Sequence, residues 1–119
     1  MFMFRHPPGA QLLPEDAVTR AITGLVTVID VREPSELAQS GKAKGALHIP
    51  MGQLRERADP RHRNHHPKLQ KDAPLAIYCG SGGRAENALR MLRDMGYVNV
   101  QNLGSFDNWI RAGGTVVAT

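Results

Sequence analysis

One short segment of the chain combines a nucleophile, a glycine-rich loop and a fixed cation. Cys79, the only cysteine among 119 residues, follows the apolar run 75–78 and opens the hexapeptide CGSGGR, which ends at Arg84. Glycines allow successive backbone N–H groups to turn toward one point, as in anion-binding loops and at helix N-termini. Inward N–H groups and a nearby cation favour a thiolate over a thiol. We therefore predict that Cys79 is a solvent-accessible nucleophile rather than a buried structural cysteine.

The pattern of apolar residues predicts the elements that position this loop. β-Branched and other apolar residues fill 25–31 and 75–78, as in strands buried on both faces of a parallel sheet. Helix-boundary residues or helical spacing mark the segments that begin at Pro14, Pro34 and residue 85. This alternation predicts an α/β domain whose central, mostly parallel sheet has about five strands and helices on both faces. Ligands bind beyond the carboxyl ends of such strands, where Cys79 lies.

Two further segments complete the predicted fold. Residues 47–50 form a short strand closed by a proline, and residues 98–100 alternate apolar and polar side chains as a strand does. Ser105 is a suitable N-cap for a last short helix. Phe106 and Trp109 in that helix are expected to pack in the core rather than to form a substrate platform.

Taken together, these residues resemble the rhodanese family of sulfurtransferases in its single-domain form. The resemblance covers about residues 14–117, nearly the whole chain. Four signatures carry it: VIDVREPSEL, GALHIP, YCGSGGRA and MGYVNVQNLGSFDNWIRAGGTV. Their order and spacing are more specific than any one of them.

The resemblance implies a reaction and a role for each residue of the site. In that family the loop cysteine takes a sulfane sulfur from a donor such as thiosulfate, holds it as a persulfide, and gives it to cyanide or another thiol. By position, Cys79 is the nucleophile and Arg84 the second catalytic residue, while Arg32 belongs to substrate binding and Asp30 supports it. No cofactor is implied. The anion-binding loop would consist of Gly80, Ser81, Gly82 and Gly83.

The charge of the loop bears on the donor. Arg84 is the only charged residue in the hexapeptide, whereas efficient users of thiosulfate in the family often have a second cation. We therefore expect modest activity with thiosulfate, and a protein or low-molecular-weight persulfide as the better donor.

Two other functions remain open. Phosphatases and arsenate reductases of the same fold also use a Cys-to-Arg loop, but they place five residues between the two, whereas this chain places four. The shorter loop should be too small for phosphate and large enough for a terminal sulfur. Alternatively, the protein is a sulfur-relay or binding module with little turnover of small molecules.

The length and composition favour a single domain, residues 1–119, with a short N-terminal extension at 1–12 and a basic, His-rich loop at 52–72. One cysteine cannot form an internal disulfide, and the sequence shows neither a secretory signal nor an apolar run long enough for a membrane span. We therefore expect a cytoplasmic protein that does not bind membranes. We also expect it to be a monomer or a weak homodimer.

The segment 52–72 holds most of the net charge of +4, with six cations against three acids. It lacks interleaved aromatic residues and any nucleic-acid motif, so no nucleic-acid partner is expected. The expected partners are small sulfur anions or thiols, with a sulfur-acceptor protein as a further candidate.

Three histidines in this segment raise the question of a metal. His62 and His66 have the i, i+4 spacing that could bind Zn²⁺ on a helix, with His65 beside them. Pro60 and Pro67 instead favour a loop, and residues 60–71 contain no cysteine or carboxylate that would complete a ligand set. We predict no functional metal site here.

Overall fold

The computed structural model describes residues 13–119, so the predicted extension 1–12 lies outside the described residues. Within residues 13–119, five helices alternate with six strands. Their bounds are α1 (Pro14–Ile22), β1 (Thr27–Asp30), α2 (Pro34–Ser40), β2 (Lys42–Ala43), β3 (Leu47–His48), α3 (Met51–Ala58), β4 (Leu75–Cys79), α4 (Gly83–Asp94), β5 (Val100–Ser105), α5 (Phe106–Arg111) and β6 (Val116–Val117).

The main sheet has the strand order β3-β1-β4-β5, and all its neighbouring strands are parallel. Parallel pairing brings the carboxyl ends together, so Asp30 at the end of β1 is in register with Tyr78, directly before Cys79. This confirms the predicted α/β fold with a mostly parallel sheet. The sheet has four strands rather than five, because β2 and β6 pair with each other in a separate antiparallel ribbon.

Apolar side chains cover both faces of the sheet. All five residues of β4 are buried, and they divide between two clusters according to the alternation of a strand. Leu75, Ile77 and Cys79 pack with α3 and α4 on one face. Ala76 and Tyr78 pack with α1 and α5 on the other. The prediction of helices on both faces is therefore confirmed. The loop after Cys79 starts from a strand that packs in both apolar clusters.

The last helix follows the sequence prediction closely. The Ser105 hydroxyl accepts a hydrogen bond of 3.1 Å from the Asn108 N–H and so caps α5. Phe106 and Trp109 are both buried in the cluster that contains Tyr78, which confirms their role in the core.

Three predicted boundaries differ from the structure. Strand β1 begins at Thr27, because the Leu25 N–H bonds the carbonyl of Arg20 in the turn that ends α1, and Leu25 is 65% exposed. Val98 is likewise exposed and precedes β5. The segment predicted as a loop at 52–72 starts with helix α3, which buries Leu54 and Ala58, four residues apart, on the core.

Within residues 13–119, no helix combines the length and the apolar character that a membrane span requires.

Candidate active site

Strand β4 delivers Cys79 to the carboxyl edge of the sheet, where the following loop turns back over its sulfur. The Sγ atom accepts hydrogen bonds from the N–H of Gly82, at 2.9 Å, and of Ala85, at 3.4 Å. Helix α4 begins at Gly83 after the N-cap Gly82, so the N–H groups of the cap and of the first turn have no intrahelical acceptor. Two of these donors are directed at the sulfur, and the positive end of α4 adds to their field. This arrangement stabilises negative charge on sulfur.

The Cys79 side chain is less exposed than the sequence predicts. The sequence predicted an accessible nucleophile, but the residue is fully buried, at 0%. It lies on a central strand, and the backbone of Gly82 and Ala85 covers its side chain. Gly80, Ser81 and Gly83 in the loop above are exposed. In this conformation the loop closes the sulfur off from solvent.

The glycines of the loop are required to different degrees. Gly82 has φ +105°, a conformation that side chains disfavour. A Cβ on Gly80 would lie 3.1 Å from Nη2 of Arg84 and 3.3 Å from Oε2 of Glu36. A Cβ on Gly83 would meet nothing within 4 Å. The backbone thus needs glycine at 82, has little room at 80, and tolerates a side chain at 83.

Arg84 forms a bidentate ion pair with Glu36. Nη1 donates to Oε1 at 2.6 Å and Nη2 to Oε2 at 2.8 Å, and the two side chains are 38% and 33% exposed. The hydrogen bond from Arg84 lowers the pKa of Glu36 to about 2. The same bond raises the pKa of Arg84, as does attraction to the neighbouring Cys79. Arg84 therefore ends the loop that covers the sulfur, and a carboxylate balances its charge.

Glu36 is the site residue that the sequence analysis missed. It lies in the first turn of α2, where its side chain accepts a 3.0 Å hydrogen bond from the Glu33 N–H in a capping box. One signal was available. Because β1 and β4 are both buried strands of one parallel sheet, the residues that follow their carboxyl ends should meet, and Glu36 and Arg84 are such residues.

Arg32 and Asp30 form a buried ion pair at the end of β1. The guanidinium donates to both oxygens of Asp30, at 2.8–3.2 Å, to Oγ of Ser40 and to the carbonyl of Gly41. It also lies 4.3 Å from the centre of the Phe106 ring. Burial lowers the pKa of Arg32, but the hydrogen bond and attraction to Asp30 outweigh burial and raise it. Arg32 thus braces the β1–α2 turn, and its direct contact with a substrate stays a prediction.

Tyr78 links this ion pair to the strand that carries the nucleophile. Its hydroxyl donates to Oδ2 of Asp30 at 2.6 Å and accepts from the Ala43 N–H at 3.0 Å. Burial raises the pKa of Tyr78, with a further contribution from Asp30. The residue directly before Cys79 is therefore held by a neutral hydroxyl with two partners.

The histidines of the basic segment have contacts within the protein. His62 lies 3.5 Å from a carboxylate oxygen of Glu56. Nε2 of His65 is 2.8 Å from the carbonyl of Leu69, and Nδ1 of His66 accepts from a backbone N–H. Across the described part of the chain, no three acidic, histidine or cysteine side chains form a group that could hold a metal ion.

Two curated relatives align with most of this chain. The HTH-type transcriptional regulator Rv0324 of Mycobacterium tuberculosis is 36% identical in an alignment of 91 residues, and the match covers 70% of this chain and 36% of that protein. Thiosulfate sulfurtransferase PspE of Escherichia coli is 33% identical in an alignment of 79 residues, and the match covers 64% of this chain and 66% of PspE. The chain thus spans about a third of the first relative and just under two thirds of the second.

A solved structure shares the fold over more of the chain. It is that of a Rhodopseudomonas palustris protein described as a possible tyrosine phosphatase. The two structures superpose with a TM-score of 0.78 and 30% sequence identity, over 90% of this chain and 84% of that one.

The family model that matches this sequence describes a rhodanese-like domain and covers residues 6–112. Those residues include the β1–α2 turn with its ion pair, the loop after Cys79 and helix α4. The chain therefore belongs to the rhodanese-like domain family, as its four sequence signatures predicted.

Proposed function

We propose that this protein is a sulfurtransferase that moves a sulfane sulfur from thiosulfate or a persulfide to a thiophilic acceptor through a persulfide on Cys79. The observation that carries the proposal is the pair of hydrogen bonds that the N–H groups of Gly82 and Ala85 donate to Sγ of Cys79 at the N-terminus of α4. The name of the PspE relative, a thiosulfate sulfurtransferase, supports the same reaction.

The reaction takes two displacements at sulfur. The Cys79 thiolate attacks the sulfane sulfur, a new S–S bond forms, and the donor's S–S bond breaks with its electron pair on the leaving group. The acceptor, cyanide or a thiolate, then attacks the outer sulfur, and Cys79 departs as a thiolate. The same N–H groups stabilise Cys79 as nucleophile and as leaving group, so neither step needs a general base at the sulfur.

Access of the donor requires the loop 80–83 to move, because Cys79 is buried. Three of these four residues are glycines, which adopt more backbone conformations than other residues. In the proposed cycle the loop opens, the donor's terminal sulfur reaches Sγ, and the loop N–H groups close on the persulfide. Ser81, exposed at the tip of the loop, belongs to this donor-binding surface.

The chemistry of a cysteine persulfide indicates the class of sulfur acceptor and the cell compartment that suit this protein. A persulfide on Cys79 can pass its sulfur to cyanide, to a small thiol or to the thiol of an acceptor protein. A lone cysteine that must stay reduced suits the cytoplasm, where thiols are kept reduced. The protein is proposed to act as a monomer or a weak homodimer.

The proposal is tested by steady-state sulfur transfer with thiosulfate and cysteine persulfide as donors and with cyanide and glutathione as acceptors. Wild-type protein should transfer sulfur with at least one donor–acceptor pair. Cys79→Ser should lose all transfer and keep the circular dichroism spectrum and melting temperature of the folded protein. Transfer by folded Cys79→Ser at the wild-type rate would refute the role of Cys79.

Phosphatase activity is a second candidate, which the description of the Rhodopseudomonas palustris structure favours. Against it, only four residues separate Cys79 from Arg84, and Arg84 is held by Glu36 rather than left for a phosphate. Hydrolysis of an aryl phosphate that is lost in Cys79→Ser would favour this candidate over sulfur transfer.

A sulfur-relay or binding module is the alternative function within the same family. Such a protein would accept one sulfur on Cys79 and release it only to a particular protein. One equivalent of sulfur taken up, with no multiple turnover to any small acceptor, would distinguish it from an enzyme that uses small molecules.

A further inference from the structure

We propose that Glu36 is a positioning residue that sets donor specificity: by holding Arg84, it makes the site prefer organic persulfides to thiosulfate. This inference rests on the proposed function and adds to it a residue and a class of donor. It begins from the contact that joins the first turn of α2 to the end of the Cys79 loop.

Glu36 holds Arg84 with both of its oxygens, and Glu36 is itself held in place. Its Oε1 accepts from Nη1 of Arg84 at 2.6 Å and from the Glu33 N–H at 3.0 Å, while Oε2 accepts from Nη2 at 2.8 Å. The capping box at the start of α2 thus fixes the carboxylate. Arg84 cannot turn toward a donor without losing two charge-assisted hydrogen bonds.

The ion pair lies beside the loop that a donor must pass. A Cβ on Gly80 would lie 3.1 Å from Nη2 of Arg84 and 3.3 Å from Oε2 of Glu36. Both side chains are about one-third exposed. A donor that approaches Cys79 over Gly80 therefore meets a carboxylate together with the guanidinium.

The other arginine predicted for the site is also paired. Arg32 is buried against Asp30, and its remaining donors bond Ser40 and Gly41. Each of the two predicted cations thus has a carboxylate partner. The field that acts on an incoming anion comes mainly from the N–H groups of the loop and of α4.

This balance of charge separates the two classes of donor. With thiosulfate, the Cys79 thiolate and S–SO₃²⁻ give the persulfide Cys–S–S⁻ and SO₃²⁻, so three negative charges gather at the site and a dianion departs. With an organic persulfide in the same ionised form, the thiolate and R–S–S⁻ give Cys–S–S⁻ and R–S⁻, so two negative charges gather at the site and a monoanion departs. In each case the new bond joins Sγ to the sulfane sulfur, and the electron pair of the broken S–S bond leaves with the departing group. The first reaction gathers more negative charge and therefore depends more strongly on a free cation.

The test compares wild type with Glu36→Gln, using thiosulfate and cysteine persulfide as donors. Glutamine keeps the shape of the side chain and can still accept from the Glu33 N–H and from Arg84. Removing the negative charge should raise kcat/KM for thiosulfate about tenfold, mainly through KM, and change that for cysteine persulfide by less than about twofold. The gain should shrink as salt is added.

Asp94→Asn is the matched control, because it removes the same charge ten residues along α4, about 15 Å from Arg84. It should leave the ratio of the two donors unchanged. An unchanged ratio in Glu36→Gln, or an equal fall with both donors, would overturn the inference. No sulfur transfer by wild-type protein from either donor would instead contradict the proposed function.

A double variant tests whether Glu36 acts through Arg84. Glu36→Gln with Arg84→Gln removes the cation that Glu36 holds, so the rise in the thiosulfate to cysteine persulfide ratio of kcat/KM that Glu36→Gln shows should be lost. The same rise in the folded double variant would show that Glu36 acts without Arg84, and would overturn the inference.

Discussion

At the scale of residues, the site depends on Asp30, a fully buried carboxylate with several donors around it. The Arg32 guanidinium, the Arg32 N–H and the Tyr78 hydroxyl all donate to its two oxygens. Such a network is stable when complete, but the loss of one partner leaves buried polar groups unsatisfied. The network fixes the end of β1 and the residue before Cys79, and so fixes the position of the nucleophile.

Arg32→Gln should therefore lower the free energy of unfolding by about 3 kcal/mol, because it leaves the charge of Asp30 buried without its cation. Urea denaturation followed by circular dichroism measures the change. Arg61→Gln is the control, since it removes an arginine from an exposed pair with Asp59 and should leave stability unchanged. Equal effects of the two variants would contradict the account of the buried pair.

The sequence predicted the local part of the site better than the distant part. Cys79, the loop glycines and Arg84 are neighbours along the chain, so their types and spacing indicated their roles directly. Glu36 and Arg84 are separated by 48 positions, and only the folded sheet joins them. The burial of Cys79 was also missed, because it depends on how the backbone at Gly82 and Ala85 folds over the sulfur.

At the scale of elements, the loop and helix α4 act as one unit. Gly82 is the N-cap of α4, lies in the left-handed region and donates its N–H to Sγ. Gly83, the next residue, has no steric reason to be glycine. Alanine substitutions at Gly82 and Gly83 therefore distinguish two reasons for glycine in this loop. Only Gly82 needs a positive φ, whereas a need for small side chains would apply to both.

Gly82→Ala should lower the free energy of unfolding by about 1–2 kcal/mol, because alanine is strained at φ +105°. It should also slow sulfur loading of Cys79, since the N–H that holds the sulfur is displaced. Gly83→Ala, in contrast, should load at the wild-type rate and be no less stable. Urea denaturation and single-turnover loading measure both properties, and a larger defect in Gly83→Ala would contradict this account.

The elements were predictable wherever the local pattern agreed with the packing. Continuous apolar residues identified β4, and helical spacing identified α4, because each buries those residues. Helix α3 was missed, because its charged residues hid the two buried positions Leu54 and Ala58. The ribbon of β2 and β6 was missed because two-residue strands carry no periodicity.

At the scale of the whole molecule, the ion pair between α2 and α4 couples stability to pH. The pKa of Glu36 is about 2 in the folded protein, against 4.5 for an ordinary glutamate. The folded state therefore favours the charged form, and the pair's contribution to stability is complete above pH 4.5. That contribution is lost as the pH falls toward 2 and the carboxylate takes up a proton.

The melting temperature of wild type should therefore exceed that of Glu36→Gln by a constant amount above pH 4.5, and the difference should shrink as the pH falls toward 2. The effect should be small, because both side chains are partly exposed and solvent screens the pair. Thermal melts of the two proteins across this range measure it. A difference that widens on acidification would contradict the assigned direction.

The central claim, that Cys79 carries a sulfane sulfur, is tested most directly by the intact mass of the protein after incubation with thiosulfate or polysulfide. The account predicts that wild type gains the mass of one sulfur atom and loses it again on addition of cyanide or a thiol. Folded Cys79→Ser should gain none. No gain in wild type with either donor, or the same gain in Cys79→Ser, would contradict the claim.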